Sequence, residues 1–275
     1  MFQTYKYTNQ NPRLTFTYIK QQFTLGYEIA TRLLQRNIAG AYRQSWLGFA
    51  WLVISPFTTV ATFIVLNMSG VVVLKDIPVP YPIFGLLSVS LWHLFYNTFI
   101  QVTDSLLTSG GLILKVKFPK ESIIFSDVGQ VLVDFFIKTV LIIITFVVYL
   151  RAPSIYAIFT PILLLPLIFL GTGLGMIASI LNIIFRDVRR VLSIFLGFFL
   201  YLMPIMYVQP PNTLLWTINR FNPLFYLITI PREIILQGKI SSPHGYIISV
   251  AFSLLVFWLG WAFFVRTSSR VVERI

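Results

Sequence analysis

Long apolar runs constrain this chain more than any other feature of its sequence. Several of them approach 20 residues and are almost free of charge, and about 20 apolar residues are needed for an α-helix to cross a bilayer. Charged residues make up 11% of the chain, compared with about 25% in soluble domains. We therefore predict an all-α integral membrane protein that crosses the bilayer several times.

Length and apolarity predict six transmembrane helices. They cover residues 49–74, 81–103, 123–150, 155–185, 191–208 and 244–265. The fourth span contains Pro161 and Pro166, which predict a tilt or a kink. A further apolar block between the fifth and sixth spans, residues 213–236, is interrupted by prolines and polar residues. We interpret it as two short re-entrant helices on the external side, which dip into the membrane and turn at an Asn-Pro step.

Residues 14–40 differ from the spans, because their pattern is that of an amphipathic helix. Apolar side chains recur at helical spacing from Ile19 to Ile38, and Gln, Glu and Arg fill much of the remainder. This pattern favours a helix that lies in the membrane interface. A solvated helix packed on another subunit is the alternative.

The distribution of basic residues predicts the orientation. With the N-terminus in the cytoplasm, fifteen of the 21 Lys and Arg residues fall in cytoplasmic segments, so both termini are predicted to be cytoplasmic. The net charge of +12 is dispersed between the spans, which indicates anionic lipid headgroups rather than nucleic acid as its counterpart. Residues 1–275 are predicted to form one transmembrane domain, with the interface helix at 14–40, the spans within 49–265 and a cytoplasmic tail at 266–275.

Several kinds of site are excluded by what the sequence lacks. The chain has no cysteine, which rules out disulfides and thiolate metal sites. No G-x-x-x-x-G-K-[ST] motif occurs, so the chain has no P-loop of its own. His93 and His244 are far apart and predicted to lie at external ends of spans, so neither a metal site nor a catalytic site is expected. Energy from ATP would have to come from another subunit.

Two features inside the apolar runs are not explained by contact with lipid alone. Asp134 and Lys138 are four residues apart in the third span and share one helical face. An ion-coupled carrier would need an unpaired acid, so this spacing favours a neutralised structural pair over a coupling site. In the fourth span, alternating glycines from Gly171 to Gly175, followed by Ser179, predict a close contact between helices.

Two short polar segments separate spans on the cytoplasmic side. Residues 110–121, here called the connector, are too polar to remain in lipid and too short to form a domain. Their lysines predict a binding surface for another protein. The turn at residues 185–190 contains Arg186, Asp187 and Arg189. It fits a positive-inside anchor, with the further hypothesis of a conformational relay in which Asp187 bonds arginines or helix N-termini.

Aromatic residues make up 16% of the chain and cluster on two spans. The clustered residues considered for a conduit are Trp92, Phe95, Tyr96 and Phe99 in the second span, and Phe198, Phe199 and Tyr201 in the fifth. Aromatic faces pack against the C–H faces of sugars, so one interpretation is a substrate conduit for a glycan. Side chains that face lipid are the alternative.

A set of short motifs occurs in a fixed order along the chain. The motifs are Tyr42 to Trp51 with Pro56, Tyr81 to Phe84, Gly111 to Glu121, Asn182 with Phe185 to Arg189, Pro204 to Tyr207, and Asn222 to Leu224. With this ordered set, the chain resembles the permease subunits of ATP-binding-cassette (ABC) exporters for bacterial polysaccharides and polyol phosphates. That family exports the O-antigen of lipopolysaccharide, capsule and teichoic acid.

The resemblance implies a homodimer of six-span permeases bound to two cytoplasmic ATPase subunits, in the bacterial inner membrane. The ATPases would hold ATP and Mg, and no cofactor is expected on this chain. In such exporters the loop between spans two and three contacts the ATPase, and the amphipathic helix borders a lateral gate between spans one and five. The re-entrant helices close the external end.

Three groups of site residues follow from the resemblance. The ATPase-coupling group is Leu112, Lys115, Lys117, Phe118 and Glu121. The lateral gate, which would meet the lipid headgroup, is Arg43, Trp46 and Trp51. The external gate is Asn222, Pro223, Arg232 and Glu233.

The implied function is that of a channel-forming, non-enzymatic subunit that exports a lipid-linked polysaccharide or polyol phosphate. A permease of the same fold that exports drugs or small lipids is the alternative. A membrane enzyme that acts on lipid-linked sugars would need an acidic or histidine cluster at a membrane face, and the sequence indicates none. An ion-coupled carrier is disfavoured by the Asp134–Lys138 spacing.

Overall fold

Helices account for all regular secondary structure in the computed structural model, which describes residues 16–43, 48, 50–69, 77–113, 115, 118–208 and 213–271. The α-helices are α1 (Phe16–Arg43), α2 (Ala50–Met68), α3 (Tyr81–Thr108), α4 (Gly110–Ile113), α5 (Glu121–Val148), α6 (Thr160–Ile184), α7 (Val188–Leu202), α8 (Leu214–Asn219), α9 (Pro223–Gln237) and α10 (Pro243–Val271). A 3-10 helix, Ile155–Phe159, leads into α6. The all-α prediction is confirmed for the described residues.

Four helices in the described part of the chain are long and apolar enough to cross a membrane. They are Tyr81–Thr108, Glu121–Val148, Ile155–Ile184 and Pro243–Ser268, and they correspond to the second, third, fourth and sixth predicted spans. The first predicted span corresponds to α2, whose apolar stretch Ile54–Leu66 is shorter. The fifth corresponds to α7, which has 15 residues. The prediction of six spans is therefore confirmed only in part.

A proline explains why α7 ends earlier than predicted. The predicted fifth span ran to residue 208, but the helix ends at Leu202, and Met203 has extended dihedral angles of φ −89° and ψ 145°. Pro204 follows, and the residue before a proline is disfavoured in the α-helical region. The chain then turns through residues 203–208.

The two prolines of the fourth span have different effects. Pro161 lies in the first turn of α6, where its missing N–H removes no helical hydrogen bond. Pro166 lies inside the helix, where it does remove one. Pro166 can therefore cause the predicted tilt or kink of α6, whereas Pro161 gives no reason for one.

The central helix of the described bundle is α3. Its residues from Ile83 to Leu106 are largely buried, and it packs against α5, α6, α7 and α9. By contrast α5, α7 and α10 expose many large apolar side chains. Apolar surfaces of that extent are typical of regions that face lipid or another subunit.

Small residues let three helices approach closely, as the glycine run predicted. A Cβ added to Gly175 would lie 2.7 Å from Cβ of Val102 in α3, and Gly171 faces the same helix. Gly173 faces the other way, where an added Cβ would lie 2.7 Å from Cα of Phe257 in α10. Glycine at these positions allows the backbones to pack together. The predicted close contact is confirmed, with α6 held between α3 and α10.

The N-terminal helix has a face that packs on α5 and a face that does not. Leu34 contacts α5, and the Asn37 side-chain amide donates to Ser126 Oγ at 3.2 Å. Glu28 and Arg32 form an exposed ion pair at 2.7 Å. The helix extends to residue 43, three residues beyond the predicted end. Its amphipathic character is confirmed, and its location in the membrane interface stays a prediction.

The interrupted block after α7 forms two helices, as predicted. They are separated at the Asn222-Pro223 step, where Asn222 Oδ1 accepts a hydrogen bond from the backbone N–H of Leu224 at 3.0 Å. This contact caps α9, and Pro223 occupies its first turn, where its fixed φ suits a helix. These contacts explain why the chain breaks between α8 and α9. That the two helices re-enter the membrane stays a prediction.

His93 lies near the middle of α3, and not at an external end of a span as predicted. It is twelve residues after Tyr81, the first residue of that helix, which corresponds to about 18 Å of helix rise. The predicted external position of His93 was wrong, because this residue falls near the middle of its apolar run.

Candidate functional site

A buried polar contact in the described bundle joins the ends of α3, α6 and α7. Asn182 of α6 has no exposed surface. Its amide donates to Thr103 O at 3.3 Å and to Asp104 Oδ1 at 3.1 Å, and its Oδ1 accepts from the backbone N–H of Arg189 at 3.2 Å. The Arg189 guanidinium Nε then donates to Asp104 Oδ2 at 2.7 Å. We call this arrangement the Asp104–Asn182–Arg189 clasp.

The clasp fixes the start of α7 to the last turn of α3. Asp104 is 15% exposed and Arg189 58% exposed, so solvent screens the pair in part and the ion pair alone contributes little. The buried Asn182 adds directionality, because all three of its contacts cross between elements. Asp104 also faces the N-terminal turn of α7, where a negative charge is favoured by the helix dipole.

Asp187 does not have the role that the relay hypothesis gave it. It is exposed and occupies the N-cap position of α7 without a side-chain capping hydrogen bond, and Arg186 is exposed beside it. The acid that bonds an arginine of this turn is Asp104, one residue beyond the predicted end of the second span. An acid at the end of an apolar run, facing a basic turn, was the signal that could have identified it.

The connector begins directly at the end of α3. The backbone N–H groups of Leu112 and Ile113 both donate to Ser109 O at 3.0 Å, which builds the short helix α4. Leu112 is half-buried, whereas Lys115 is exposed.

The other end of the connector is tied to α10. Lys120 Nζ donates to the backbone carbonyl of Ser268 at 2.8 Å, and Glu121 begins α5. Phe118 and Glu121 are half-buried, and Lys117 lies outside the described residues. The described coupling residues, Leu112, Lys115, Phe118 and Glu121, therefore lie between the ends of α3, α5 and α10.

Three of the aromatic residues predicted to line a conduit are instead part of the protein core. Trp92 and Phe95 are 2% exposed and Phe99 is 8% exposed, with ring centroids 5.9 Å and 6.0 Å apart along this series. The carbonyls of Phe95 and Phe99 lie against the glycines of α6. Because the three rings are buried, they are not accessible to a substrate in this structure. Tyr96 points elsewhere and lines a cavity.

The aromatic residues of α7 remain accessible. Phe198 is 68% and Tyr201 61% exposed, and Phe199 is half-buried beside Phe195 with ring centroids 5.4 Å apart. Of the lateral-gate residues, Trp51 is 54% exposed on α2. Arg43 is the last residue of α1, and its side chain and the whole of Trp46 lie outside the described residues.

A polar cavity of about 690 Å³ opens between α1, α3, α5 and the first turn of α7. Its lining includes Arg36 and Asn37 from α1, Tyr96, Asn97, Gln101 and Asp104 from α3, Asp127, Gln130 and Asp134 from α5, and Arg189 from α7. Asp127 and Asp134 belong to one apolar run and Asp104 follows another, so the sequence alone did not group the three acids. The fold brings them together around one cavity.

Lys138 is buried one turn of α5 beyond the cavity, with 4% of its surface exposed. Asp134 lies four residues before it, on the same face of α5. Their interpretation as a structural pair stays a prediction.

At the opposite end of the bundle, Arg232 holds the turn that follows α7. Its Nη1 donates to Pro204 O at 3.1 Å, Ile205 O at 3.0 Å and Ser88 Oγ at 3.2 Å. The guanidinium lies 4.5 Å from the Phe84 ring centroid, a cation–π arrangement. Burial lowers the pKa of Arg232 to about 10, so its charge is retained at neutral pH. The neighbouring Glu233 accepts from Ser241 N at 3.1 Å.

Residues 30–236 match the ABC-2 type transporter family. The chain is 26% identical over 263 residues to the O-antigen export system permease protein RfbA of Klebsiella pneumoniae, a match that covers 93% of this chain and 98% of that protein. It is 23% identical over 248 residues to a protein of the same name from Myxococcus xanthus, which covers 88% and 94% of the two chains. The family match includes the clasp, the connector and the polar cavity. Because it extends over most of the sequence, this chain belongs to the ABC-2 type transporter family.

Proposed function

We propose that this protein is the channel-forming permease of an ATP-driven exporter, which moves a lipid-linked polysaccharide or polyol phosphate across the bacterial inner membrane. The observation that carries the proposal is the similarity to O-antigen export permeases, which extends over 98% of the Klebsiella pneumoniae protein. The four candidate spans support a membrane subunit. The charge distribution supports cytoplasmic termini.

ATP hydrolysis would take place on two separate ATPase subunits, which would hold ATP and Mg²⁺. The connector is the proposed docking surface for them. It combines the exposed Lys115 with the half-buried apolar Leu112 and Phe118. A small apolar centre with a charged rim is a common composition for a protein–protein contact.

The clasp is the proposed route from the connector to α7. Asp104 lies in α3 six residues before Gly110, the first residue of α4, and is bonded to Arg189 in the first turn of α7. A displacement of the end of α3 must therefore either carry α7 with it or break the Asp104–Arg189 pair. Packed elements with two discrete arrangements of this kind can carry coupling between distant sites.

The substrate pathway would form between two copies of the chain. Large apolar residues on α7 support a second copy at this face. They include Val191, Ile194, Phe195, Phe198 and Tyr201, which are all more than half exposed. Arg43, Trp46 and Trp51 are the proposed lateral gate for the lipid anchor, and Tyr96, Phe198, Phe199 and Tyr201 are the remaining conduit candidates.

The external gate would consist of α8, α9 and the turn that Arg232 holds. Arg232 joins α9 to that turn through two backbone carbonyls, and Asn222 with Pro223 sets the start of α9. These contacts support a rigid cap rather than a flexible loop at this end of the bundle.

Depletion of the protein in its native bacterium tests the proposed function. We expect undecaprenyl-linked glycan to accumulate in the cell, and an ATPase to co-purify with the tagged permease from native membranes. The variant Lys115→Glu should lower export at unchanged protein level, whereas Lys239→Glu, an exposed lysine outside the connector, should not. Depletion without accumulation of glycan would indicate a drug or small-lipid exporter, and the lack of any co-purifying ATPase would reject the proposal.

A further inference from the structure

The polar cavity has the size and the lining of a site for a small polar ligand. Its volume of about 690 Å³ lies within the range of roughly 300–1,000 Å³ found for small-molecule sites. Four helices contribute amide, carboxylate and guanidinium groups, whereas Ile100 and the Tyr96 ring provide apolar surface. An acyl chain would leave these polar groups without partners, which is unfavourable.

A buried carboxylate oxygen of the cavity indicates a ligand that donates hydrogen bonds. Asp127 lines the cavity and is 6% exposed. Its Oδ1 accepts a hydrogen bond from the Asn37 amide at 3.3 Å. Its Oδ2 has no hydrogen-bond partner among the described residues. A buried acceptor without a partner is destabilising, and a hydroxyl donor from a ligand would satisfy it.

The charges of the cavity disfavour an anionic ligand. Three carboxylates, those of Asp104, Asp127 and Asp134, face two guanidiniums, those of Arg36 and Arg189. Arg189 is already bonded to Asp104 at 2.7 Å, and Arg36 acts electrostatically on Asp127. Lys138 lies one helical turn beyond Asp134 on α5, so the cations near the cavity only balance its carboxylates and offer a phosphate group no excess of positive charge.

The remaining polar groups match neighbouring hydroxyls. Asn97, Gln101 and Gln130 line the cavity, and each carries N–H donors and a carbonyl acceptor on one planar group. Such a group can bond two adjacent hydroxyls at once. The Tyr96 ring offers an apolar face with a polar end, which suits the C–H face of a sugar ring.

We propose that this cavity binds uncharged sugar or polyol units through adjacent hydroxyl groups, with Asp127 as the main acceptor. The proposal rests on the proposed export function for the source of the ligand. Asp104 belongs both to the cavity and to the clasp. A bound unit would therefore lie next to the contact that joins α3 to α7.

Ligand-detected NMR on the full-length protein in nanodiscs tests this inference. The probes are the methyl glycosides of glucose, galactose, mannose and rhamnose, the polyols glycerol and ribitol, and methyl phosphate, an anion whose methyl protons can be observed. We expect saturation transfer to at least one glycoside or polyol and none to methyl phosphate. The glycoside and polyol arms distinguish a sugar from a polyol as the natural unit.

Two cavity variants and one control locate the binding. Asp127→Asn keeps the size of the side chain and an acceptor for Asn37 but removes the charge, and Asn97→Ala removes a planar group without changing any charge. We expect Asp127→Asn to weaken binding about tenfold or more, since a hydrogen bond to a charged group is worth more than a neutral one. We expect Asn97→Ala to weaken binding several-fold, because it removes neutral hydrogen bonds. Glu28→Gln, in the exposed pair with Arg32, should bind as the parent does.

Each other outcome overturns the inference. These outcomes are no binding of any glycoside or polyol, binding of methyl phosphate in preference to them, and unchanged binding by both cavity variants when thermal unfolding shows them folded. Because binding is measured without transport, glycoside binding in a protein that exports no glycan would retain the cavity assignment and reject the proposed function. If the protein exports glycan but the cavity variants bind as the parent does, the proposed function is retained and the cavity assignment is rejected.

Discussion

Arg189 Nε lies 2.7 Å from Asp104 Oδ2, and this contact joins two helices whose residues are 85 positions apart in the sequence. Asn182, between them, bonds both residues and has no exposed surface. These three residues therefore help to hold the start of α7 in its position relative to α3.

The first prediction concerns the clasp. Asp104→Ala removes the partner of Arg189 and an acceptor of Asn182, so we expect amide hydrogen exchange in residues 188–192 to become about tenfold faster or more. Mass spectrometry of the full chain in nanodiscs measures this rate. Asp187→Ala is the comparison, because Asp187 makes no capping hydrogen bond and should leave the rate unchanged. Equal effects of the two variants would contradict the role of the clasp.

The second prediction concerns the contact of α6 with α10. A Cβ at Gly173 would lie 2.7 Å from Cα of Phe257, so Gly173→Ala should lower the free energy of unfolding by about 1–3 kcal/mol through overpacking. Gly197 in α7 has no neighbour within 4 Å of an added Cβ, and Gly197→Ala should be neutral or stabilising by up to about 1 kcal/mol. Denaturant unfolding in detergent compares them, and a stable Gly173→Ala protein would show that the helices can separate freely.

The third prediction concerns the turn after α7. Arg232→Met retains an apolar stem but leaves Pro204 O and Ile205 O without this donor, at roughly 1–3 kcal/mol for each buried group left unpaired. We expect a clear decrease in the thermal midpoint. Arg220→Met is the matched control, because Arg220 is an exposed arginine. Its guanidinium carbon lies 4.7 Å from the centroid of the Trp216 ring, and such an exposed cation–π contact contributes about 0.5–1 kcal/mol. A midpoint that falls equally in both variants would contradict the special role of Arg232.

The fourth prediction concerns the end of the connector. Lys120→Met removes the hydrogen bond to Ser268 O, so we expect several-fold faster amide exchange in residues 266–268, at the end of α10. Lys115→Met changes an exposed lysine of the same segment and should leave that exchange unchanged. If the rate stays constant in Lys120→Met, another contact holds this helix end.

Apolarity and small residues in the sequence predicted much of the bundle. The long apolar runs predicted the candidate spans, the glycines from Gly171 to Gly175 predicted a close helix contact, and the Asn222-Pro223 step predicted where α9 starts. These features are local, because each depends on residues within a few turns of one another. A sequence shows such features directly.

Contacts between distant segments could not be predicted in the same way. Trp92 and Phe95 have the helical spacing of a lining face, but periodicity does not show which side of α3 another helix covers. Asp104 and Asp127 likewise have partners or neighbours that only the fold brings near. The polar cavity was missed for this reason.

The hydrogen bond from Lys120 to Ser268 O has a mechanical consequence for the connector. One end of this segment continues from α3 through α4, and the other is fastened to α10 just before α5 begins. A protein that pulls on the connector therefore moves two helix ends at the same time. Since α10 and α3 pack on opposite sides of α6, such a pull would act on both faces of α6 rather than on a single helix.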